Sequence, residues 1–335
     1  MIQTESFQNY LRSDAFRDPL GIPRQAELTF APLGQGEYNL NYRFRHPVTM
    51  QELVLRINTG SQMHLNNQIG YEFSALKNLE PSGRTPKALF CEPDRNCLVT
   101  EWLPGRPLQY ETDMNIAAEI FADIHARPTP ENCGLLEPEN PLEAILEECR
   151  QMVAHYHSWD KADPLVRSLL KTLENEISAR DLSAPVGIRK CMVNTEVNSG
   201  NFLINPQGKS YLIDWEKPLI SEPAQDLGHF LVPTTTFWKT DVILTPEDVR
   251  HFVAHYRQAV NSRFETESLR ERLPLYFTIT CLRGVTWCAM AFREYSEPGR
   301  SLSNADTFLK IQDYLRPDFL ENLLTNYVRR DFLKE

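Results

Sequence analysis

A chain of 335 residues has room for about two domains and a sizeable buried core. Its 35 Lys and Arg against 45 Asp and Glu leave a formal charge of −10, so the basic footprint of a nucleic-acid binder is missing and an anionic membrane surface is a poor partner. A hydrophobic fraction of 41% argues against disorder, and no uninterrupted apolar run approaches the ~18 residues of a spanning helix.

The opening residues Met1-Ile2-Gln3-Thr4-Glu5 have neither basic flank nor apolar core, which speaks against a signal peptide. The seven cysteines include no C-x-x-C pair, and the eight histidines no H-E-x-x-H. Reduced thiols in a cytoplasmic protein without zinc are therefore expected. Cys91 and Cys97 are close enough in sequence to be neighbours on a hairpin.

In chain order, Leu28–Phe30, Asn41–Arg45 and Leu53–Ile57 read as short strands, with the turn signal Gly34-Gln35-Gly36-Glu37 between the first two. A helix is predicted over Leu65–Leu79, where Ile69, Phe73, Leu76 and Leu79 recur at helical spacing. Lys87–Phe90 and Cys97–Glu101 complete a small, mostly antiparallel β-β-β-α-β-β unit. Pro104-Gly105-Arg106-Pro107 then breaks regular structure, giving an expected sheet domain over 1–103 and a mainly helical domain over 104–335.

Beyond that break, Ile116–His125 carries apolar residues on one face, and prolines open helices at Pro141, Pro164, Pro246, Pro274 and Pro317, the last expected to reach Leu333. One segment is not helical. Asn201–Asn205 and Ser210–Asp214 flank Pro206-Gln207-Gly208-Lys209 and read as a β-hairpin. Gly208-Lys209-Ser210 is a hairpin turn rather than a P-loop, because Leu203 stands where the first glycine is required.

Three features follow one another: a glycine-rich turn, a cationic residue late in a strand (Arg56), and an Asn…Asp pair bracketing the isolated hairpin. Asn194-Thr195-Glu196-Val197-Asn198-Ser199-Gly200-Asn201, then Ile213-Asp214-Trp215-Glu216, then Pro223-Ala224-Gln225-Asp226-Leu227, resemble the motifs of the aminoglycoside phosphotransferase and choline kinase-like family. That resemblance implies an α+β, two-lobed protein-kinase-like fold with a small antiparallel sheet lobe and a larger helical lobe. It also implies ATP- and Mg²⁺-dependent phosphoryl transfer to a hydroxyl of a small metabolite, aminoglycoside-, choline- or sugar-like.

By the same resemblance, Asn201 and Asp214 are metal ligands, and Gly34, Gly36, Arg56 and Glu72 belong to the phosphate-holding part. Glu101, Trp102 and Leu103 fall at the adenine-binding hinge, and Asn194 and Glu196 occupy the catalytic loop. The chemistry agrees with these residue types. Mg²⁺ takes hard oxygen ligands, and phosphoryl transfer rests on positioning and charge neutralisation. An arginine at the clamp keeps the charge and adds a fork geometry. Plainer readings are a turn-starting aspartate for Asp214, a strand-end arginine for Arg56 and an ordinary hairpin for the two glycines. Asp226 is expected to brace the catalytic loop, and His125 to be a packed helix-end histidine.

The chain departs from the family pattern at two positions. Asn194 replaces the histidine, and Glu196 replaces the aspartate that accepts the acceptor's proton, which moves the carboxylate about 1.5 Å farther from the backbone. A nucleotide-binding pseudoenzyme with a scaffold or regulatory role is therefore the alternative to an active kinase. The acidic balance mildly favours a cationic acceptor.

Overall fold

The computed structural model describes residues 4–35, 39–61, 63–183, 187–297 and 305–330. The elements of the first part are α1 (Glu5–Arg12), α2 (Asp14–Arg17), β1 (Ala31–Gln35), β2 (Asn39–Arg45), β3 (Glu52–Asn58), α3 (Gln68–Leu79), β4 (Ala88–Glu92) and β5 (Cys97–Glu101). After them come α4 (Tyr110–His125), α5 (Pro141–His157), α6 (Pro164–Ser178), β6 (Cys191–Val193), β7 (Phe202–Leu203), β8 (Tyr211–Leu212) and β9 (Leu219–Ser221). The remainder is α7 (Pro223–Leu231), α8 (Pro233–Lys239), α9 (Pro246–Val260), α10 (Leu269–Ser296), α11 (Ala305–Tyr314) and α12 (Pro317–Leu323), which runs on as a π-helical turn, Leu324–Arg329.

The chain divides into two compact units. The first holds Met1–Arg106, Thr129–Leu135 and Leu203–Pro218, and the second holds the rest. A single cut after Leu103 thus describes only part of the division, because the hairpin region returns to the sheet unit. Its attachment is local and specific. Arg106 and Ile204 exchange backbone hydrogen bonds of 3.0 and 2.7 Å. A Cβ on Gly105 would meet Leu203 at 2.8 Å, so the Pro-Gly break is also a close approach of two backbones.

In the first unit five antiparallel strands lie in the order β1-β2-β3-β5-β4. Alternation in β3 sends Leu53, Leu55 and Ile57 to one face, where they join Phe44, Cys97 and Val99 under Phe7, Tyr10, Leu11 and Phe16 of α1 and α2. Val54 and Arg56 therefore point the other way, toward the α3 side. The two N-terminal helices escaped the sequence reading. They are held by Arg17, 4% exposed, whose guanidinium donates to the carbonyls of Leu11, Pro23, Arg24 and Ala26 at 2.6–3.0 Å.

The first strand is also placed later than expected. Leu28–Phe30 packs on the core without joining the sheet, and β1 begins at Ala31. Gly34 lies within β1 opposite Asn41, just after an irregularity in the ladder, rather than in the turn. Gly36 lies outside the described residues. Cys91 stands opposite Leu98 and Cys97 opposite Glu92, and all seven cysteines are free thiols.

The second unit is helical around α10, against which α5, α6, α7, α8 and α11 pack. This helix corrects two expectations. It begins at Leu269, so Pro274 lies inside it; one hydrogen bond is lost near the start, while Leu269, Arg272 and Leu273 are buried there. It is also long and apolar enough to span a membrane by length and composition, although 67% of its most apolar window is buried within the protein, as in a core helix. The end of the predicted last helix, 331–333, lies outside the described residues. Strands β6 and β9 form a short antiparallel ladder, Cys191 opposite Ser221 and Val193 opposite Leu219, from which the segment starting at Asn194 departs.

Candidate active site

In the first unit the site is built on Arg56. Its Nη1 donates to Glu72 Oε1 of α3 at 2.7 Å and to Asp214 Oδ1 at 3.0 Å, while Nε donates to Asn41 of β2 at 3.1 Å. Burial by itself would lower the arginine's pKa, but the carboxylates of Glu72, Asp214 and Glu216 carry it above its ordinary value, so the side chain stays charged. Burial raises the Glu72 carboxyl, against the pull of Arg56. Glu72 is 4% exposed at its side chain and its Oε2 is buried with no hydrogen-bond partner, whereas the Asp214 side chain is 41% exposed. Glu72 therefore fixes the guanidinium, and Asp214 is the more accessible of its two carboxylate partners.

Asp214 follows β8 in the left-handed region, φ 65°, a conformation aspartate tolerates better than most residues. The segment is fastened to α3 and the sheet on several sides. Trp215, fully buried, donates to Leu212 O at 3.0 Å. Gln68 and Tyr71 of α3 donate to the carbonyls of Glu216 and Pro218, each at 2.5 Å, and Asn39 of β2 donates to the Glu216 carboxylate. Leu212 N–H donates to Arg84 O at 2.8 Å, and Gly208 N–H closes the expected turn on Asn205 O at 3.1 Å.

At the expected hinge, the Glu101 and Trp102 amides donate to Lys87 O and Glu52 O, each at 3.0 Å. The Arg43 guanidinium lies 4.1 Å from the Trp102 ring centroid, a cation–π contact. Leu103 follows, half-buried and outside the strand.

In the second unit the loop after β6 is organised by Asp226 of α7, which is fully buried. Its carboxylate accepts the amides of Asn194 at 2.9 Å and Thr195 at 2.8 Å, and His125 Nε2 lies 3.3 Å away. Tyr256 completes the cluster 2.9 Å from His125 Nδ1. Asp226 thus braces the loop and His125 is a packed helix-end residue, as the sequence reading had them. Thr195 is held at φ 72°, an outlying conformation for a β-branched residue.

Asn194 is 1% exposed, and its Oδ1 accepts the Glu196 amide at 3.3 Å, so it shapes the turn that presents Glu196. The Glu196 side chain is 32% exposed, and its Oε1 lies 3.3 Å from Arg283 Nη2. Asn201 closes the short helical turn Ser199–Asn201, 8% exposed, with its amide on Asn198 O at 3.0 Å. Asn201 belongs to the second unit and Asp214 to the first.

Sequence reasoning missed Arg283, Glu148 and His229. Arg283 donates to Glu148 through Nε at 2.8 Å and Nη2 at 3.1 Å. Against the effect of burial, Glu148 and Glu196 raise it above the ordinary arginine value. His229 Nδ1 lies 3.0 Å from Val197 O, and burial followed by the Arg283 charge lowers its pKa to about 4. A signal for Arg283 did exist: it is the one charged residue between Arg272 and Arg293, and an isolated charge in an apolar helix needs partners.

Among solved structures, the chain is similar to an ethanolamine kinase from Plasmodium vivax, with 14% identity over 93% of this chain and 88% of that one, TM-score 0.64. It is similar to the choline kinase LicA from Streptococcus pneumoniae at 17% identity, covering 95% and 100% of the two chains, TM-score 0.62. A spectinomycin phosphotransferase solved with ADP and spectinomycin shares 11% identity over 91% and 94%, TM-score 0.61. These likenesses establish the two-lobed, kinase-like α+β fold. Residues 29–272, which contain Arg56, the segment from Asn194 to Asn201 and the hairpin, match the phosphotransferase enzyme family, and the chain belongs to that family.

Proposed function

We propose that this phosphotransferase moves the γ-phosphoryl group of ATP to a hydroxyl of a small, amine-bearing metabolite in a Mg²⁺-dependent reaction. The observation that carries this reading is the Arg56 clasp: a buried cation fixed by a helix glutamate, with an accessible carboxylate on the same guanidinium nitrogen. Such a group neutralises phosphate charge without moving. Leu103 follows two engaged hinge amides and is the backbone position best suited to the adenine.

The donor set suits the metal. Asp214 offers a carboxylate and Asn201 a carboxamide oxygen, hard ligands of the kind Mg²⁺ accepts beside phosphate oxygens and water. Mg²⁺ bound by such ligands would supply charge neutralisation on the transferring phosphates. In the transfer, the acceptor oxygen bonds to the γ-phosphorus and its proton passes to the Glu196 carboxylate. The bond from phosphorus to the bridging oxygen breaks, and its electron pair leaves with ADP.

A cationic acceptor is supported by the similarity to kinases named for ethanolamine, choline and spectinomycin, and by the net charge of −10. Half-buried Trp238 and Trp287 meet edge to face at 5.3 Å, and Trp287 lies one helical turn beyond Arg283; aromatic faces of this kind hold ammonium groups. The free thiols support a cytoplasmic setting.

The test is ADP formation from Mg·ATP with ethanolamine, choline, spectinomycin and neutral sugars offered separately. Turnover with an amino alcohol or aminocyclitol supports the reading. Turnover with neutral sugars alone removes the cationic acceptor. Binding of Mg·ATP without turnover, with or without acceptor, refutes the transferase reading and leaves the pseudoenzyme suggested by Asn194 and Glu196.

A further inference from the structure

Glutamate at position 196 raises a positional problem. It has one more rotatable bond than aspartate and reaches about 1.5 Å farther, and carboxylate misplacement of about 1 Å costs roughly 10²-fold in rate. A longer side chain therefore needs something that fixes its end.

Arg283 of α10 stands in that position. Nε and Nη2 grip both oxygens of Glu148 on α5 at 2.8 and 3.1 Å, which locks the plane of the guanidinium. Nη2 also reaches Glu196 Oε1 at 3.3 Å, and Nη1 reaches the carbonyl of Thr195 at 3.4 Å. One planar group thus ties the glutamate's end and the backbone beside it to a helix-borne anchor. The guanidinium side chain is 17% exposed, so water competes weakly for these bonds.

We propose that Arg283, anchored by Glu148, is the positioning residue that sets the Glu196 carboxylate for the acceptor hydroxyl, and that glutamate and arginine at these two positions function as a pair. This rests on the reading of Glu196 as the proton acceptor. By holding one carboxylate oxygen, Arg283 decides where the other points. An aspartate at 196, ending one bond earlier, stops short of the guanidinium. The carboxylate therefore reaches its place by a longer side chain with a fixed end, where an aspartate would rely on the backbone alone.

The experiment is single-turnover transfer from Mg·[γ-³²P]ATP to water and to ethanolamine, with nucleotide affinity read from Mg·ADP titration. Glu196→Gln should slow transfer by about 10²-fold. Arg283→Gln should slow it by about 10- to 10²-fold with Mg·ADP affinity unchanged, and Arg283→Lys should recover part of the loss. Glu148→Gln should slow it in the same direction by less. The double variant Arg283→Gln/Glu196→Gln should be no slower than Glu196→Gln alone, because the two side chains act as one unit.

Full-rate transfer in Arg283→Gln, or losses that multiply in the double variant, overturns the positioning role. Should Arg283→Gln not fold, Arg283→Lys and Glu148→Gln decide instead, full rate in both being the refuting result. Failure of the underlying reading is seen separately. A wild-type chain that transfers nothing, or a Glu196→Gln variant at full rate, removes Glu196 as proton acceptor and the role of Arg283 with it.

Discussion

Replacing Asp226 with asparagine changes almost no volume and removes one charge at the point where the loop after β6 is fastened. The carboxylate accepts the Asn194 and Thr195 amides at 2.9 and 2.8 Å, one on each oxygen, and no part of the residue is exposed. Hydrogen bonds to a charged acceptor contribute about 1.5–3 kcal/mol each. An amide keeps one oxygen and turns an NH₂ group against the second backbone N–H, so one bond is lost and two donors face each other without water. The same bonds hold Thr195 at φ 72°, where outlying backbone geometry carries ~1–3 kcal/mol of strain. Asp226→Asn should therefore lower stability by about 2–4 kcal/mol, read as a lower urea midpoint with unchanged slope. Phosphoryl transfer should fall by roughly 10²-fold under conditions where the protein remains folded, since the loop bearing Glu196 is released. A variant with the wild-type midpoint and wild-type turnover would show that the two amides are held by other means and would refute this reasoning.

Arg56→Met should weaken Mg·ATP binding by at least tenfold in calorimetric titration, with Arg56→Lys between it and wild type; equal affinities in all three would leave Arg56 a structural strand residue. Asp214→Ala should abolish the difference in ATP affinity with and without Mg²⁺ while leaving the circular-dichroism spectrum intact; a persisting metal effect removes Asp214 from the site. His229 is neutral in the fold, its pKa lowered to about 4 by burial and the Arg283 charge. The unfolded chain takes up this proton near its ordinary value of about 6.5, so the contribution is intact above pH ~6.5 and lost as pH falls toward 4. At most about 3 kcal/mol is involved, less in proportion to the ring's residual exposure. His229→Asn should flatten stability against pH in that window, and an unchanged slope would count against a neutral buried ring.

The sequence alone determined the parts governed by short-range rules. Alternating residues in 53–57 dictated which face Arg56 would occupy, because successive side chains in a strand point to opposite sides. Helices opening at Pro141, Pro164 and Pro246 begin at those prolines, since the missing N–H is harmless in a first turn. The stretch from Asn194 through Asn201 to Asp214 carried the motifs of the family resemblance, and residues 29–272 match that family. Pro274 shows the limit of the same rule: burial of the preceding turn outweighed the lost hydrogen bond.

Tertiary structure decided what depends on residues distant in sequence. The N-terminal helices are held by Arg17 reaching carbonyls from Leu11 to Ala26 and by apolar contacts with strands that come later in the chain. The short β6–β9 ladder has too few residues to declare itself by pattern and exists because Cys191–Val193 meets Leu219–Ser221 across a long separation. The neighbours of Glu196 were illegible for the same reason. Arg283 and Glu148 lie 87 and 48 positions away in sequence, on helices whose apolar faces bring them together. Propensity and spacing act over a few residues, whereas the pairing of a buried charge with its partners is settled only when helices pack.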